Sequence, residues 1–432
     1  MKFMKELNIL IFPGGSDVGV EIWKSLKDCK KINLFSANSA VSNHSPFIFR
    51  KHFTVPSITD SKWIDAINNI VMVYNIDYIF PAHDDVILAL SNNKEKINAK
   101  ILISPEETCL ICRSKIKTYG FFKDIIPIPK IFKNIKEIEN FPIFIKPDFG
   151  QGSRDAYKID DIYSLKTIIK SKNNMLMMEY LPGKEFTIDC FSDRKKGLVF
   201  CKGRERVRTK AGAATHTKLV DNHTNSIFQE YAQIISNKLI FYGSWFFQVK
   251  QDIKYEYVLL EIAPRIAGTM SLNRNLGVNF PLLSIYEAEG IDIKIMENNI
   301  CLKLDRSYIN RYKHDLKYDK IYVDLDDTLI INNKVNVELI KFLYQCINNN
   351  YKIILLTKTE NNLNLSLNKH KLNGLFDEIH VIDKNDCKSN YIDPKNSIFI
   401  DDSFNERIEV FNKLNIPTFD CSMIESLLDD RC

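Results

Sequence analysis

The stretch Ile321-Tyr322-Val323-Asp324-Leu325-Asp326-Asp327-Thr328-Leu329 sets an apolar run against a group of carboxylates. Asp324 and Asp326 stand two apart, so on an extended backbone both point the same way. The run predicts a strand, and the carboxyl end of a strand is where open α/β sheets place their chemistry. Two further apolar runs end alike: Ile353–Leu356 leads into Thr357, and Ile398–Ile400 leads into Asp401-Asp402. Three strand ends would then bring carboxylates and a hydroxyl to one rim. Carboxylates that close together require a cation, and an all-oxygen donor set favours Mg²⁺.

A second constellation lies mid-chain. No G-x-x-x-x-G-K-[ST] occurs there, so any ATP is held without a P-loop. Lys146 ends an expected strand, and Gly150-Gln151-Gly152-Ser153 follows as a small polar loop able to close over phosphates through backbone N–H groups. Glu179 and Glu185 flank the turn at Pro182-Gly183. Glu261-Ile262-Ala263-Pro264-Arg265 ends an expected hairpin, and Gln248 on its other strand can face Glu261. Arg204, Arg206, Arg208 and Lys210 precede Gly212. Alternate residues of a strand share a face, so these arginines either line a substrate side or form a solvated charged strand. Paired Arg donors suit a carboxylate or a phosphate. His216 and His223 read as ordinary polar residues.

These groups need elements to position them. Residues 1–105 alternate strand and helix signals: strands at Asn8–Phe12, Ile32–Phe35 and Tyr78–Pro81, with amphipathic stretches at Val20–Leu26 and Trp63–Tyr74. Such alternation predicts a parallel sheet. The glycines after the first strand do not form G-x-G-x-x-G and have no acidic partner at the required distance, so they read as a tight turn. Residues 106–300 form an α+β block with strands at Phe141–Pro147, Met175–Leu181 and Lys184–Phe191 and a hairpin from Phe246–Lys250 to Tyr257–Ile262. The polar, basic residues 301–318 are expected to be a linker. From 319 to 432 the alternation resumes, with helical spacing over Val337–Asn348 and Ile408–Leu414.

The 432 residues are 45% hydrophobic and 26% charged, the balance of a soluble globular chain large enough for two to four domains. With 15 Gly and 14 Pro it is neither collagen-like nor of low complexity. A net charge of +5 gives no reason to expect nucleic acid, while small anionic substrates fit. No apolar run approaches the roughly 20 residues of a bilayer span, so no membrane role is expected. The N-terminus reads as a first strand, not a signal peptide, because no small-residue cleavage pattern precedes Pro13. Ten cysteines without framework spacing fit free thiols in a reducing cytoplasm. Cys109 and Cys112 form an isolated C-x-x-C and read as small apolar residues near a helix start rather than a metal site.

The C-terminal segment resembles the haloacid-dehalogenase-like (HAD) phosphatases. That resemblance implies Asp324 as the nucleophile, Asp326 as the acid and base, and Thr357 as a donor to the phosphoryl oxygens. It implies Lys388 as the neutralising cation, with Lys384 a poorer candidate, and Asp324, Asp326, Asp401 and Asp402 around Mg²⁺. About 30 residues separate Asp326 from Thr357, and about 30 separate Thr357 from Lys388, which leaves no room for a cap domain. The pocket would be open unless the upstream block covers it.

Residues 1 to about 300 look like an ATP-grasp ligase with its preceding α/β domain. That resemblance implies ATP phosphates on Lys115, Lys146 and the loop at Gly152 and Ser153. It implies adenine at Glu179 and Leu181, ribose at Glu185, Mg²⁺ at Gln248 and Glu261, and Arg265 at the transferring phosphoryl group. Arg204 and Arg206 become candidates for the substrate. Ala263 stands where many members carry Asn, which removes one metal ligand, though some carboxylating members share this change.

The expected architecture is thus α/β and α+β, multidomain: a parallel-sheet domain, an ATP-grasp domain and a capless HAD-like Rossmannoid domain. The expected function is a bifunctional enzyme using ATP and Mg²⁺. A carboxylate–amine ligase working through an acyl phosphate would be coupled to a phosphatase acting on a phosphorylated amine donor or its amide. Its partners would be small-molecule carboxylates and amines, and a homodimer is compatible. The alternatives are a small-molecule kinase or carboxylase with a phosphatase, or one domain acting as a binding module.

Overall fold

Five short strands open the chain as a parallel sheet: β1 (Leu7–Phe12), β2 (Ile32–Asn38), β3 (His52–Thr54), β4 (Tyr78–Pro81) and β5 (Lys100–Ile101). The order β3-β2-β1-β4-β5 puts β1 at the centre, where its residues are almost all buried. A strand covered on both faces reads as a continuous apolar run, which is why no alternation shows there. Helices α1 (Asp17–Leu26), α2 (Trp63–Tyr74) and α3 (Asp84–Asn92) connect these strands. The Ser16 side chain caps α1 by accepting from the Gly19 N–H at 3.0 Å. The glycine turn is a packing device: a Cβ at Gly14 would lie 2.4 Å from the Ser36 Cβ. A computed structural model describes residues 5–39, 42–150, 152, 154–172, 174–358 and 362–431.

After α4 (Glu106–Arg113) and α5 (Lys115–Phe122) comes an antiparallel sheet of β6 (Ile131–Phe132), β7 (Ile143–Pro147), β8 (Tyr157–Ile159) and β9 (Met175–Glu179), with α6 (Ile162–Ser171) between the last two. Its order is β6-β9-β7-β8. A larger antiparallel sheet follows: β10 (Glu185–Asp193), β11 (Gly197–Lys210), β12 (Ala213–Leu219), β13 (Gly243–Gln251), β14 (Tyr257–Ala263) and β15 (Lys303–Asp305). Its order is β14-β13-β10-β11-β12-β15. Helix α7 (Asn222–Lys238) covers one face, and Phe228, Trp245 and Phe247 are fully buried there. Two shorter helices, α8 (Ser271–Asn275) and α9 (Phe280–Ala288), follow β14.

The expected linker is corrected here. Residues 303–305 pair with β12 as an edge strand, Thr217 opposite Leu304, and the first compact unit runs on to Tyr308. Charge composition suggested a linker, but Lys303 and Asp305 are exposed edge positions whose backbone is paired.

The second unit, Ile309–Arg431, centres on β16 (Lys320–Val323). A hairpin of β17 (Ile330–Ile331) and β18 (Lys334–Val335) precedes α10 (Val337–Asn348). Then come β19 (Lys352–Thr357), α11 (Leu363–His370), β20 (Glu378–Val381), β21 (Ser397–Ile400), α12 (Phe404–Leu414) and β22 (Thr418–Phe419). The sheet is all parallel in the order β20-β19-β16-β21-β22. Val323 pairs with both Leu355 and Ile400, which sets Asp324 level with Asp401.

Gly203 on β11 offers a test of packing in the first unit. A Cβ there would lie 2.4 Å from the buried Phe228 ring. Gly203→Ala should destabilise by about 1–3 kcal/mol through overpacking, read as a lower denaturant midpoint at unchanged slope.

Candidate functional site

In the second unit, β16 delivers Asp324 and β21 delivers Asp401 and Asp402 to one point. Ligand oxygens of these three carboxylates lie within 4.8 Å of one another. The buried Lys388, in a short 3₁₀ turn at Lys388–Tyr391, donates to Asp324 Oδ1 at 2.7 Å and to Asp401 Oδ2 at 2.6 Å. Burial pushes the Asp324 carboxyl up to about 7, with Lys388 pulling it down and Asp401 adding to the rise. Burial would lower the Lys388 ammonium, but the two carboxylates outweigh it and the net shift is upward. Thr357 is fully buried at the end of β19.

Asp326 is not one of the three carboxylates that meet within that distance; it is half-buried beside the hairpin, its backbone bridging to Ile330. Its expected place among the metal ligands is thus not matched by membership of the tight carboxylate group. The period-2 argument fails because the strand ends at Val323 and Asp326 lies past it. Sequence reasoning also passed over Thr328. Its hydroxyl oxygen is 3.3 Å from Asp324 Oδ2 and 3.1 Å from Asp402 Oδ1, and it accepts from the Asp402 N–H at 2.9 Å. The available signal was a Thr four residues after Asp324, in the same short polar stretch.

The first unit holds two connected cavities. The smaller, about 150 Å³, is lined by Lys115, Lys146, Gly152, Glu179, Leu181 and Glu185, among others. Ser153 lies outside the described residues. Lys146 donates to the Tyr119 hydroxyl at 2.9 Å, and burial lowers its pKa to about 8. Lys115 donates to the carbonyls of Asp148 and Gly150 at 3.0 and 3.1 Å, and burial lowers its pKa too. Glu179 accepts from the Lys130 N–H at 2.7 Å. Glu185, expected to face ribose, carries Arg206 on one oxygen at 2.7 Å. Gln248 and Glu261 are register partners on β13 and β14 and line both cavities.

The larger cavity, about 520 Å³, takes its walls from the parallel sheet as well as from the antiparallel one. Arg204 lines it but is held from behind: Asp189 accepts from Nε at 2.7 Å and from Nη2 at 3.1 Å, and Asn273 donates to Asp189 at 2.8 Å. Arg265 is held likewise by Asp84, at 2.6 and 2.8 Å, and donates to the Ile266 carbonyl at 2.9 Å. Burial raises the Asp84 carboxyl, but Arg265 outweighs it and the net shift is downward. Arg206 also donates to the Gly212 carbonyl at 2.6 Å, whereas Arg208 turns to Asp305 at 2.7 Å. Bulges on either side of Arg208 break the alternation that put all three arginines on one face. Three buried polar atoms on residues lining this cavity, Arg204 Nη1, Thr187 Oγ1 and Arg206 Nε, make no well-aligned hydrogen bond among the described residues, although Arg206 Nε has the ion-pair contact to Glu185. Orphaned buried donors of this kind fit an anion or polar ligand. Cys109 and Cys112 are buried thiols, with burial raising both, and belong to no metal-ligating group among the described residues.

Among the described residues no helix is long and apolar enough to cross a membrane. No curated protein sequence matches this chain. Residues 171–305 match a family model described as ATP-grasp in the biosynthetic pathway with Ter operon. The biotin carboxylase domain of Hydrogenobacter thermophilus 2-oxoglutarate carboxylase is similar with a TM-score of 0.58 at 12% identity, covering 69% of this chain and 73% of that one. The L-amino acid ligase of Bacillus licheniformis is similar with a TM-score of 0.54 at 16% identity, covering 66% and 75%. The N5-carboxyaminoimidazole synthetase of Staphylococcus aureus, solved with ADP, is similar with a TM-score of 0.56 at 14% identity, covering 68% and 80%. At these identities the likeness is one of fold. The matched segment spans the six-stranded sheet that carries Arg204, Gln248 and Glu261, and the first unit of this chain contains an ATP-grasp domain.

Proposed function

We propose that the first unit is an ATP-dependent carboxylate–amine ligase and the second a Mg²⁺-dependent phosphatase. The observation that carries the ligase reading is the pair of connected cavities, one with two buried lysines and the other with the orphaned donors of Arg204 and Thr187. ATP fits the first: Lys115 and Lys146 hold its phosphates, Glu179 and Leu181 meet adenine, and the free oxygen of Glu185 meets ribose. ADP in a structure of similar fold supports that placement. Gln248 and Glu261 supply oxygens for Mg²⁺, which when bound offsets the negative charge of the phosphates.

The substrate carboxylate would sit on Arg204 Nη1 and the Thr187 hydroxyl. One of its oxygens attacks the γ-phosphorus, the bond to ADP breaks, and an acyl phosphate forms. Three of the five Arg265 donors are engaged, and the others would serve the transferring group. An amine then attacks the acyl carbon, loses a proton, and phosphate leaves to give the amide.

In the second unit, the close carboxylates around Lys388 carry the reading. Asp324 attacks a phosphate monoester to form an aspartyl phosphate, and Asp326 protonates the departing alcohol oxygen. Asp326 then takes a proton from the water that hydrolyses the intermediate. Lys388 and Thr357 offset charge on the phosphoryl oxygens. Asp324, Asp401 and Asp402 form a hard oxygen set that fits Mg²⁺. The two activities connect if the amine donor carries a phosphate monoester that is removed after ligation. A carboxylase is the second reading, favoured by Ala263, with bicarbonate as the carboxylate.

The test uses an Asp324→Asn chain and follows ADP formation across carboxylates, bicarbonate included, with amines offered bare and phosphorylated. ADP that requires both acid and amine is expected; ADP formed without amine sinks the ligase reading. On the phosphorylated amide, Asp324→Asn should lose at least about a thousandfold in phosphate release. No release by the unmodified chain from any phosphorylated amide would sink the phosphatase reading.

Lys146→Met should weaken ADP binding yet raise the unfolding temperature at pH 7. The folded pKa near 8 lies below the ordinary lysine value, so the cost of the buried charge is full below pH 8. That cost fades as pH rises, and the thermal gain of the variant should shrink from pH 8 upward.

A further inference from the structure

Arg306 lies just past β15 and lines the larger cavity, outside the part it shares with the smaller one. The strand fixes it there. Its backbone N–H donates to the Thr215 carbonyl at 2.7 Å, and the preceding Asp305 is held by Arg208 at 2.7 Å and His216 at 3.1 Å. A Cβ on Gly268 would lie 3.4 Å from Arg306 Nη1, so the guanidinium rests against that glycine in the cavity wall.

Most of the other arginines lining this cavity are neutralised at close range; Arg154, exposed and shared with the smaller cavity, is the exception. Arg113 is held by Asp85 at 2.5 and 2.9 Å, Arg204 by Asp189 and Arg265 by Asp84. Arg306 differs. Its carboxylate neighbour is Asp17, at 3.6 Å and with side chains 31% and 65% exposed, which is too long for a charged hydrogen bond and too solvated to be strong. Its fork of donors remains available to an anion entering the cavity.

We propose that Arg306 recognises a phosphate monoester on the second substrate of the first unit. The inference rests on the ligase reading, which already assigns Arg204 to the substrate carboxylate and the smaller cavity to the nucleotide. A second anion then remains for Arg306. A phosphorylated amine suits it chemically, because the carboxylate-rich centre of the second unit acts on the same group. The ligase cleft would select amines by the phosphate that the other centre removes.

The test is calorimetric, on the full Asp324→Asn chain saturated with ADP and Mg²⁺. The probes are O-phosphoethanolamine, with ethanolamine and acetate as controls. Arg306→Ala should weaken O-phosphoethanolamine binding by about tenfold or more, the scale of a charged hydrogen bond. Asp17→Asn, which removes the competing carboxylate, should tighten it. ADP affinity and the unfolding temperature should stay unchanged in both. Any binding of the probe in the second unit is common to all variants and drops out of the comparison. The proposal is overturned if the probe does not bind, if Arg306→Ala leaves its affinity unchanged, or if acetate shows the same dependence on Arg306. Failure of the ligase reading is seen separately, as no ADP formation with any acid and amine.

Discussion

The ion pair between Arg265 and Asp84 joins residues 181 apart in the chain, one just past β14 and the other in the first turn of α3. It ties the parallel sheet to the antiparallel one and so sets the width of the larger cavity. Both side chains are 15% exposed. A pair so buried adds little net stability, because desolvation offsets most of the attraction. Its value is geometric: a planar guanidinium with two parallel bonds to one carboxylate allows little rotation. The same device recurs at Arg204 with Asp189, where Asn273 adds a second tether to the carboxylate. Each arginine is thereby presented to the cavity in one orientation.

The centre in the second unit meets the opposite demand. Three carboxylates must share a small space without a fixed counter-charge of equal size. One buried ammonium, Lys388, bonds two of them, and the Thr328 hydroxyl lies between Asp324 and Asp402. Parallel register makes this arrangement possible, since β16 lies between β19 and β21 and their carboxyl ends come level.

The two centres share a chemical logic. In the ATP-grasp unit, cations are kept oriented by carboxylates behind them and turn their spare donors to the cavity. In the second unit, carboxylates are kept close by a cation. The first arrangement suits an anion, and the second suits a divalent cation. The glycine-rich turn after β1 takes part more modestly: Gly14 allows close packing, and the following Ser16, Asp17 and Val18 reach the cavity wall.

Sequence by itself determined the local elements and which polar residues end them. The Asp324 strand, the run ending at Thr357 and the one ending at Asp401 are apolar segments whose polar ends stand out, because a buried strand leaves only its terminus free for charge. The register of Gln248 against Glu261 was legible because a hairpin is local. Tertiary structure alone decided what those residues face. Asp84, Asp189 and Asn273 carry no local signal of their partners, since the pairing arises only when distant elements pack. The same holds for Arg306: composition around it suggests a linker, and only the pairing of β15 with β12 brings it to the cavity. Edge pairing between distant strands is settled by backbone geometry and the space left beside β12, and neither is written in a short window of residues.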